Sequence, residues 1–221
     1  MPRPTGDPPQ AVTGKPEPGV GPHPHPWPLD DRLDPQLLSE GDARNVVDRY
    51  RYWRLDAIRG DLARRAHPYH VAVENWQHDR NIGAVVRNAN AFGAAGVHIV
   101  GARRWNRRGA MMTEVYLPVQ RHADIDELAT WAAGRGLPVV GVDILPGAVD
   151  LRSYALPKSC VLLFGQEGPG LSTAARRAAV DVVAIPQFGS TRSINAAAAS
   201  AVAMFEWVRA HADPPPPALP T

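Results

Sequence analysis

Hydrophobic positions along the middle of this chain recur with two different periods. Ile82, Val85, Val86, Ala89 and Phe92 fall on one face of a helix over 82–92. Short apolar runs at 70–74, 97–100, 138–142, 160–164 and 182–185 read as strands. Between and after them, 124–134, 172–179 and the Ala-rich 193–210 read as helices. Strands alternating with helices predict an α/β domain with a mostly parallel sheet and helices on both faces. Ligands in such sheets sit beyond the carboxyl ends of the strands. Upstream, Val46, Val47, Tyr50, Trp53, Leu55, Ile58 and Leu62 recur at roughly helical spacing and predict a helix over 40–66.

Composition sets the edges of this picture. The 221 residues suffice for one sizeable core. Eleven of the 23 prolines lie in residues 1–35 and five in 214–221, so disordered tails are expected at 1–35 and 213–221. That leaves a helical extension at 36–68 and the α/β domain at 69–212. His23 and His25 alternate with prolines and read as part of a solvated tail, not a metal site. No apolar run approaches the roughly 20 residues that span a membrane, and the N-terminus lacks the pattern of a signal peptide. The single cysteine, Cys160, sits in an apolar strand, where it reads as packing and fits a reducing cytosol. A cytoplasmic protein is the expectation. A net charge of +2 selects no partner.

The local charge pattern is more telling. Arg44, Arg49, Arg51, Arg54, Arg59, Arg64 and Arg65 lie among Tyr50, Tyr52 and Trp53. A solvated helix docked on the core and an RNA-facing arm both fit that pattern. In 102–109, Arg103, Arg104, Arg107 and Arg108 flank Trp105 in a loop after a strand. Arginines reach phosphates and an indole stacks on a base, so RNA contact is favoured there.

Three polar loops interrupt the α/β pattern. In the first, Asn81 stands at the N-cap position of the 82–92 helix. Arg87 falls opposite that helix's apolar stripe, near Gly83, Ala84 and Ala91, where a guanidinium can reach a phosphate or a developing oxyanion. The second, Phe164-Gly165-Gln166-Glu167-Gly168-Pro169-Gly170-Leu171-Ser172, packs three glycines and one acid between a strand and a helix. Glycines let a ligand lie against the peptide groups. The loop lacks the lysine and Ser/Thr of a P-loop and is not G-x-G-x-x-G, which counts against ATP or NAD chemistry. The third runs from Ile185-Pro186-Gln187 through Gly189 to Ser193-Ile194-Asn195, with Ser193 a candidate N-cap for the helix of small residues behind it.

In that order and spacing, the three loops resemble the motifs of the SpoU (TrmH) branch of the SPOUT methyltransferases over roughly 70–210. The resemblance implies S-adenosylmethionine-dependent methylation of a ribose 2′-hydroxyl in tRNA or rRNA. It also implies a C-terminal trefoil knot and a homodimer; the periodicity itself shows no knot. Carried over residue by residue, the catalytic set is Arg87, Asn81, Glu167, Ser193 and Asn195. The cofactor pocket would be lined by Phe164, Gly165, Glu167, Gly168, Ile185, Gln187, Ser193 and Ile194. The chemistry needs no metal. The chain departs mildly from the family at Gln166, where Asn is more usual, at Asn88, where Thr is common, and at the alanines 196–199. Two other functions fit the same motifs: an RNA-binding assembly factor without catalysis, and a methyltransferase acting on a base.

Overall fold

The computed structural model describes residues 19–75, 81–101, 104–166 and 168–213. Arg103 and Glu167, both singled out from the sequence, lie outside the described residues. The chain divides into two compact units, Met1–Arg54 and Leu55–Thr221.

The first unit is organised around a buried carboxylate. Asp42 accepts hydrogen bonds from the backbone N–H groups of Arg44 and Tyr52, and from Nε and Nη2 of Arg44 at 2.8 and 2.7 Å. Burial raises the pKa of the Asp42 carboxyl, but these hydrogen bonds outweigh it and hold the group below its ordinary value. Arg44 also donates to the Trp53 carbonyl, and Arg51 donates to the Arg44 carbonyl. The expected helix over 40–66 is therefore replaced by two shorter pieces, a 3₁₀ turn at Asp48–Tyr50 and α2 (Leu55–Arg65), of which α2 belongs to the second unit; α1 (Pro35–Glu40) comes just before. Between them, Gly41 at φ 97° and Tyr52 at φ 63° turn the backbone around Asp42. A buried charge must be hydrogen-bonded, and that demand overrides weak helical spacing. Arg44 and Arg51 are held inside the unit, which weakens the reading of this stretch as an RNA-facing arm. Within residues 19–35, Val20 bridges to Asp42, Leu33 bridges to Trp53, and the N–H of His23 donates to the Leu38 carbonyl.

The second unit is the α/β domain. After α2 come β1 (His67–Glu74), α3 (Ile82–Ala91), β2 (Ala94–Val100), β3 (Val119–His122), α4 (Ile125–Ala133) and β4 (Val139–Val142). Then follow β5 (Val149–Asp150), β6 (Val161–Phe164), α5 (Thr173–Ala178), β7 (Asp181–Ala184) and α6 (Ala196–His211). The strands form one seven-stranded sheet in the order β3-β2-β1-β6-β4-β7-β5, and every pairing is parallel. Helices cover both faces, as expected. Tyr69, Val71 and Val73 pack against Val85 and Val86 of α3 and Met204 and Trp207 of α6. Ala72, Val161 and Leu163 face Ile125 and Leu128 of α4 and Ala175 of α5. Cys160 is buried at the head of β6, and burial pushes its thiol up to about 12, in keeping with a packing role. The sequence pattern missed β3 and β5. The first is an edge strand carrying Gln120 and Arg121, and the second has only two residues. Among the described residues, no helix is long and apolar enough to cross a membrane.

Three histidines on β1, β2 and β3 form a buried chain. His98 Nδ1 lies 2.8 Å from His122 Nε2, and His98 Nε2 lies 3.1 Å from His70 Nδ1. Trp131 of α4 packs on His98, with ring centroids 4.0 Å apart. Burial disfavours the charged form of all three rings. It lowers His70 to about 4 and His98 to about 3, with the Arg135 charge adding to both, and it lowers His122 against the pull of Glu127. In the unfolded chain these rings protonate near 6.5, so acid favours unfolding. The contributions of His70 and His98 are fully present above about pH 6.5 and are lost as pH falls toward about 4 and about 3, by up to about 1.4 kcal/mol per pH unit for each of the two. Thermal melts across that window are expected to show a shallower decline for His98→Gln than for wild type. Equal slopes would contradict this account.

Candidate functional site

β6, β4 and β7 are neighbours in a parallel sheet, so the loops that leave their carboxyl ends emerge side by side. Together they line a cavity of about 320 Å³. Its walls are Val142, Asp143 and Ile144 after β4; Phe164, Gly165, Gln166, Gly168 and Gly170 after β6; and Ile185, Gln187 and residues 193–196 after β7, with Ala199 behind. All the described residues expected to hold a cofactor are in this set. The volume lies in the range of small-molecule sites.

The loop after β6 is a tight hairpin. Gln166 and Gly170 exchange backbone hydrogen bonds at 3.1 and 3.0 Å. A side chain at Gly165 would collide with the backbone of Gly170 and Leu171, and one at Gly170, at φ 70°, would strike the Asp143 carboxylate. Two acids hold the hairpin, and sequence reasoning missed both. Asp143 accepts from the N–H groups of Ile144 at 2.7 Å and Leu171 at 2.8 Å. Glu74, fully buried at the end of β1, accepts from the N–H of Ser172 at 2.9 Å, and Ser172 in turn caps α5 through the N–H of Ala175. The signal available in the sequence was an acid at the end of an apolar strand, which is costly to bury unless it has donors.

The third loop meets the first through Asn195. The N-cap of α6 is Asn195 rather than Ser193. Its Oδ1 accepts from the N–H groups of Ala197 and Ala198, while its Nδ2 donates to Oδ1 of Asn81 at 2.9 Å. Asn81 stands at the N-cap position of α3, but its backbone is already helical and its side chain makes no capping bond. A second link runs from Asn88 of α3, whose Nδ2 donates to the Ala197 carbonyl and to Ser200 Oγ. Arg87 lies on the exposed face of α3, as expected, but does not itself line the cavity. Among the described residues it has no hydrogen-bond or ion-pair partner, so its guanidinium is available. Inside the cavity wall, both amide atoms of Gln187 and Oε1 of Gln166 are buried without a partner among the described residues. Buried polar groups are normally satisfied, so these atoms point to a polar ligand.

The basic loop is anchored on α3. A 3₁₀ turn at Arg108–Ala110 packs so closely that a side chain at Gly83 would meet Ala110 N at 2.7 Å and Gly109 Cα at 2.8 Å. Arg104, Arg107 and Arg108 are exposed, whereas Trp105 is half-buried against the core, with Arg107 over its ring. The indole expected to stack on a base is thus partly taken up by packing.

Residues 68–205 match the model of the SpoU rRNA Methylase family. An uncharacterized tRNA/rRNA methyltransferase of Mycobacterium tuberculosis (strain ATCC 25177 / H37Ra) is 32% identical over 197 residues, which cover 85% of this chain and 59% of that protein. The chain therefore spans less than two thirds of that relative's length. The SpoU methyltransferase AviRb from Streptomyces viridochromogenes, solved in complex with the cofactor AdoMet, superposes with a TM-score of 0.60 at 30% identity, over 65% of this chain and 58% of that one. An AdoMet-bound rRNA methyltransferase from Sinorhizobium meliloti gives a TM-score of 0.58 at 31% identity, over 66% and 59% of the two chains. With its parallel sheet and its three loops in order, this chain belongs to the SpoU rRNA methylase family.

Proposed function

We propose that this chain methylates a ribose 2′-hydroxyl of tRNA or rRNA with S-adenosylmethionine and acts as a cytoplasmic homodimer carrying the family's C-terminal knot. The observation that carries the reading is the cavity at the strand ends, walled by backbone and holding the unpartnered Gln187 amide. Through the Asn195–Asn81 bond it is joined to the helix that presents Arg87. These features fit S-adenosylmethionine, whose adenine, ribose and amino-acid groups take hydrogen bonds from such walls. AdoMet is also the cofactor named in the two structural relatives above.

When bound, the cofactor supplies an electrophilic methyl group on a sulfonium. The chain's own residues must position the ribose hydroxyl and stabilise the charge that grows on its oxygen. An arginine, with a pKa above about 12, is a poor proton acceptor. Arg87 therefore acts as a fixed positive charge facing the developing alkoxide, while the hydroxyl proton passes to solvent water. Asn81 and Asn195 hold the start of its helix, and Asn88 fixes its middle to α6. Ser193 and Ile194 line the cavity next to Asn195. Arg103, Arg104, Arg107 and Arg108 supply phosphate contacts. For the dimer, α6 offers Val202 and Phe205, which are 42% and 56% exposed, with Phe92 edge-on to Phe205. A second copy would cover them.

The test is transfer of labelled methyl from S-adenosylmethionine to size-fractionated unmodified RNA, followed by nucleoside analysis. Label is expected on ribose 2′-oxygen in one fraction. Arg87→Ala is expected to lower turnover about a hundredfold or more while cofactor affinity stays within a few-fold. Label on a base, or near-normal turnover in the variant, would contradict the reading. Phe205→Asp is expected to convert the dimer to a monomer in sedimentation analysis; an unchanged mass would move the interface elsewhere.

A further inference from the structure

The loop from β7 to α6 carries an aromatic ring that the core does not use. Phe188 follows Gln187 of the cavity wall and is 86% exposed. The guanidinium of Arg152 lies over this ring, with Cζ 5.7 Å from the centroid. Arg152 is itself held: Nε and Nη2 donate to Oδ2 of Asp150 at 3.1 and 2.6 Å, and Nε also to Oδ1 at 3.1 Å. Asp150 is in turn fixed in β5, paired to Ala184 of β7. A planar cation set by the sheet edge thus backs a ring that stays open to solvent. Arg192, also exposed, follows in the same loop just before Ser193 of the cavity wall.

Folding gains nothing from leaving a phenylalanine in water, and a cation attracted to one face of the ring leaves the other face open to a flat partner. An open ring flanked by arginines matches a nucleobase followed by its phosphate. Bases stack on such rings with little regard to sequence, because each has a π-face. Trp105, the aromatic of the basic loop, is half-buried and less free to serve. We infer that Phe188, backed by Arg152, is a stacking platform for a base of the RNA substrate at the mouth of the cofactor cavity, with Arg192 meeting the backbone phosphate. The inference rests on the RNA-methylating role proposed above. The platform positions a nucleotide next to the cavity and leaves sequence choice to other contacts.

The test uses the full chain and a short single-stranded RNA carrying 2-aminopurine, whose fluorescence falls on stacking. Wild type is expected to bind and quench the probe, and Phe188→Tyr to do the same. Phe188→Ala and Phe188→Leu are expected to lose quenching and bind about tenfold more weakly or worse. Because the side chain is exposed, neither variant disturbs packing, and circular dichroism checks this. The platform is overturned if wild type fails to quench the probe or if the alanine variant binds as wild type does. It is also overturned if leucine preserves affinity, or if the alanine variant turns a dimer into a monomer with RNA affinity unchanged, which would give the ring to a second copy of the chain. Calorimetry with S-adenosylmethionine on the same samples separates the two readings. RNA quenching without cofactor binding would count against methyl transfer and leave the platform standing.

Discussion

The carboxamide of Asn195 is used from both ends, and the arrangement of the site depends on it. Its oxygen accepts from the first turn of α6, and its nitrogen donates to Asn81 at the start of α3. A capping side chain contributes about 1 kcal/mol to a helix. Here the same group also fixes where the helix bearing Arg87 begins relative to the cavity. Asn88 makes a second rung between the same two helices, so α3 is held at two points along its length. An aspartate could accept the capping bonds but could not donate to Asn81, which explains the value of an amide at this position.

The parallel sheet makes that junction useful. Parallel strands put every loop of one kind at the same end, and the adjacency of β6, β4 and β7 places three of them around one cavity. Carboxylates from two strands, Asp143 and Glu74, accept the N–H groups of Leu171 and Ser172 and pin the glycine hairpin. The glycines are then a packing requirement as much as a ligand requirement, since a side chain at Gly165 or Gly170 has nowhere to go. The resulting wall is largely peptide, with both amide atoms of Gln187 and Oε1 of Gln166 as its buried, unpartnered side-chain atoms among the described residues.

Much of the domain was legible because its signals are local. α3 has a clear apolar stripe, β6 is a continuous apolar run, and the glycine loop follows β6 directly in sequence, before α5. The cavity wall was legible for the same reason, since loops at strand ends carry their residues in contiguous motifs. What was hidden depends on partners distant in sequence or on charge burial. The stretch 41–54 carries helical spacing, yet folds around Asp42, whose donors include Tyr52 N–H ten residues on. Asp143 and Glu74 meet their partners 28 and 98 residues away. The chain of His70, His98 and His122 joins three strands and leaves no periodic trace. Asn81 and Ser193 look like caps, yet α6 is capped by Asn195 and Asn81 is its acceptor.

Titration calorimetry of S-adenosylmethionine into the full chain and into Asn195→Ala tests the central claim most directly. The account predicts one site per wild-type chain. It also predicts binding at least about tenfold weaker in the variant at unchanged helix content, the size of effect that losing a cap and a side-chain hydrogen bond produces. Absence of binding to wild type would contradict the assignment of the cavity. Equal affinity in the two proteins would contradict the role given to Asn195.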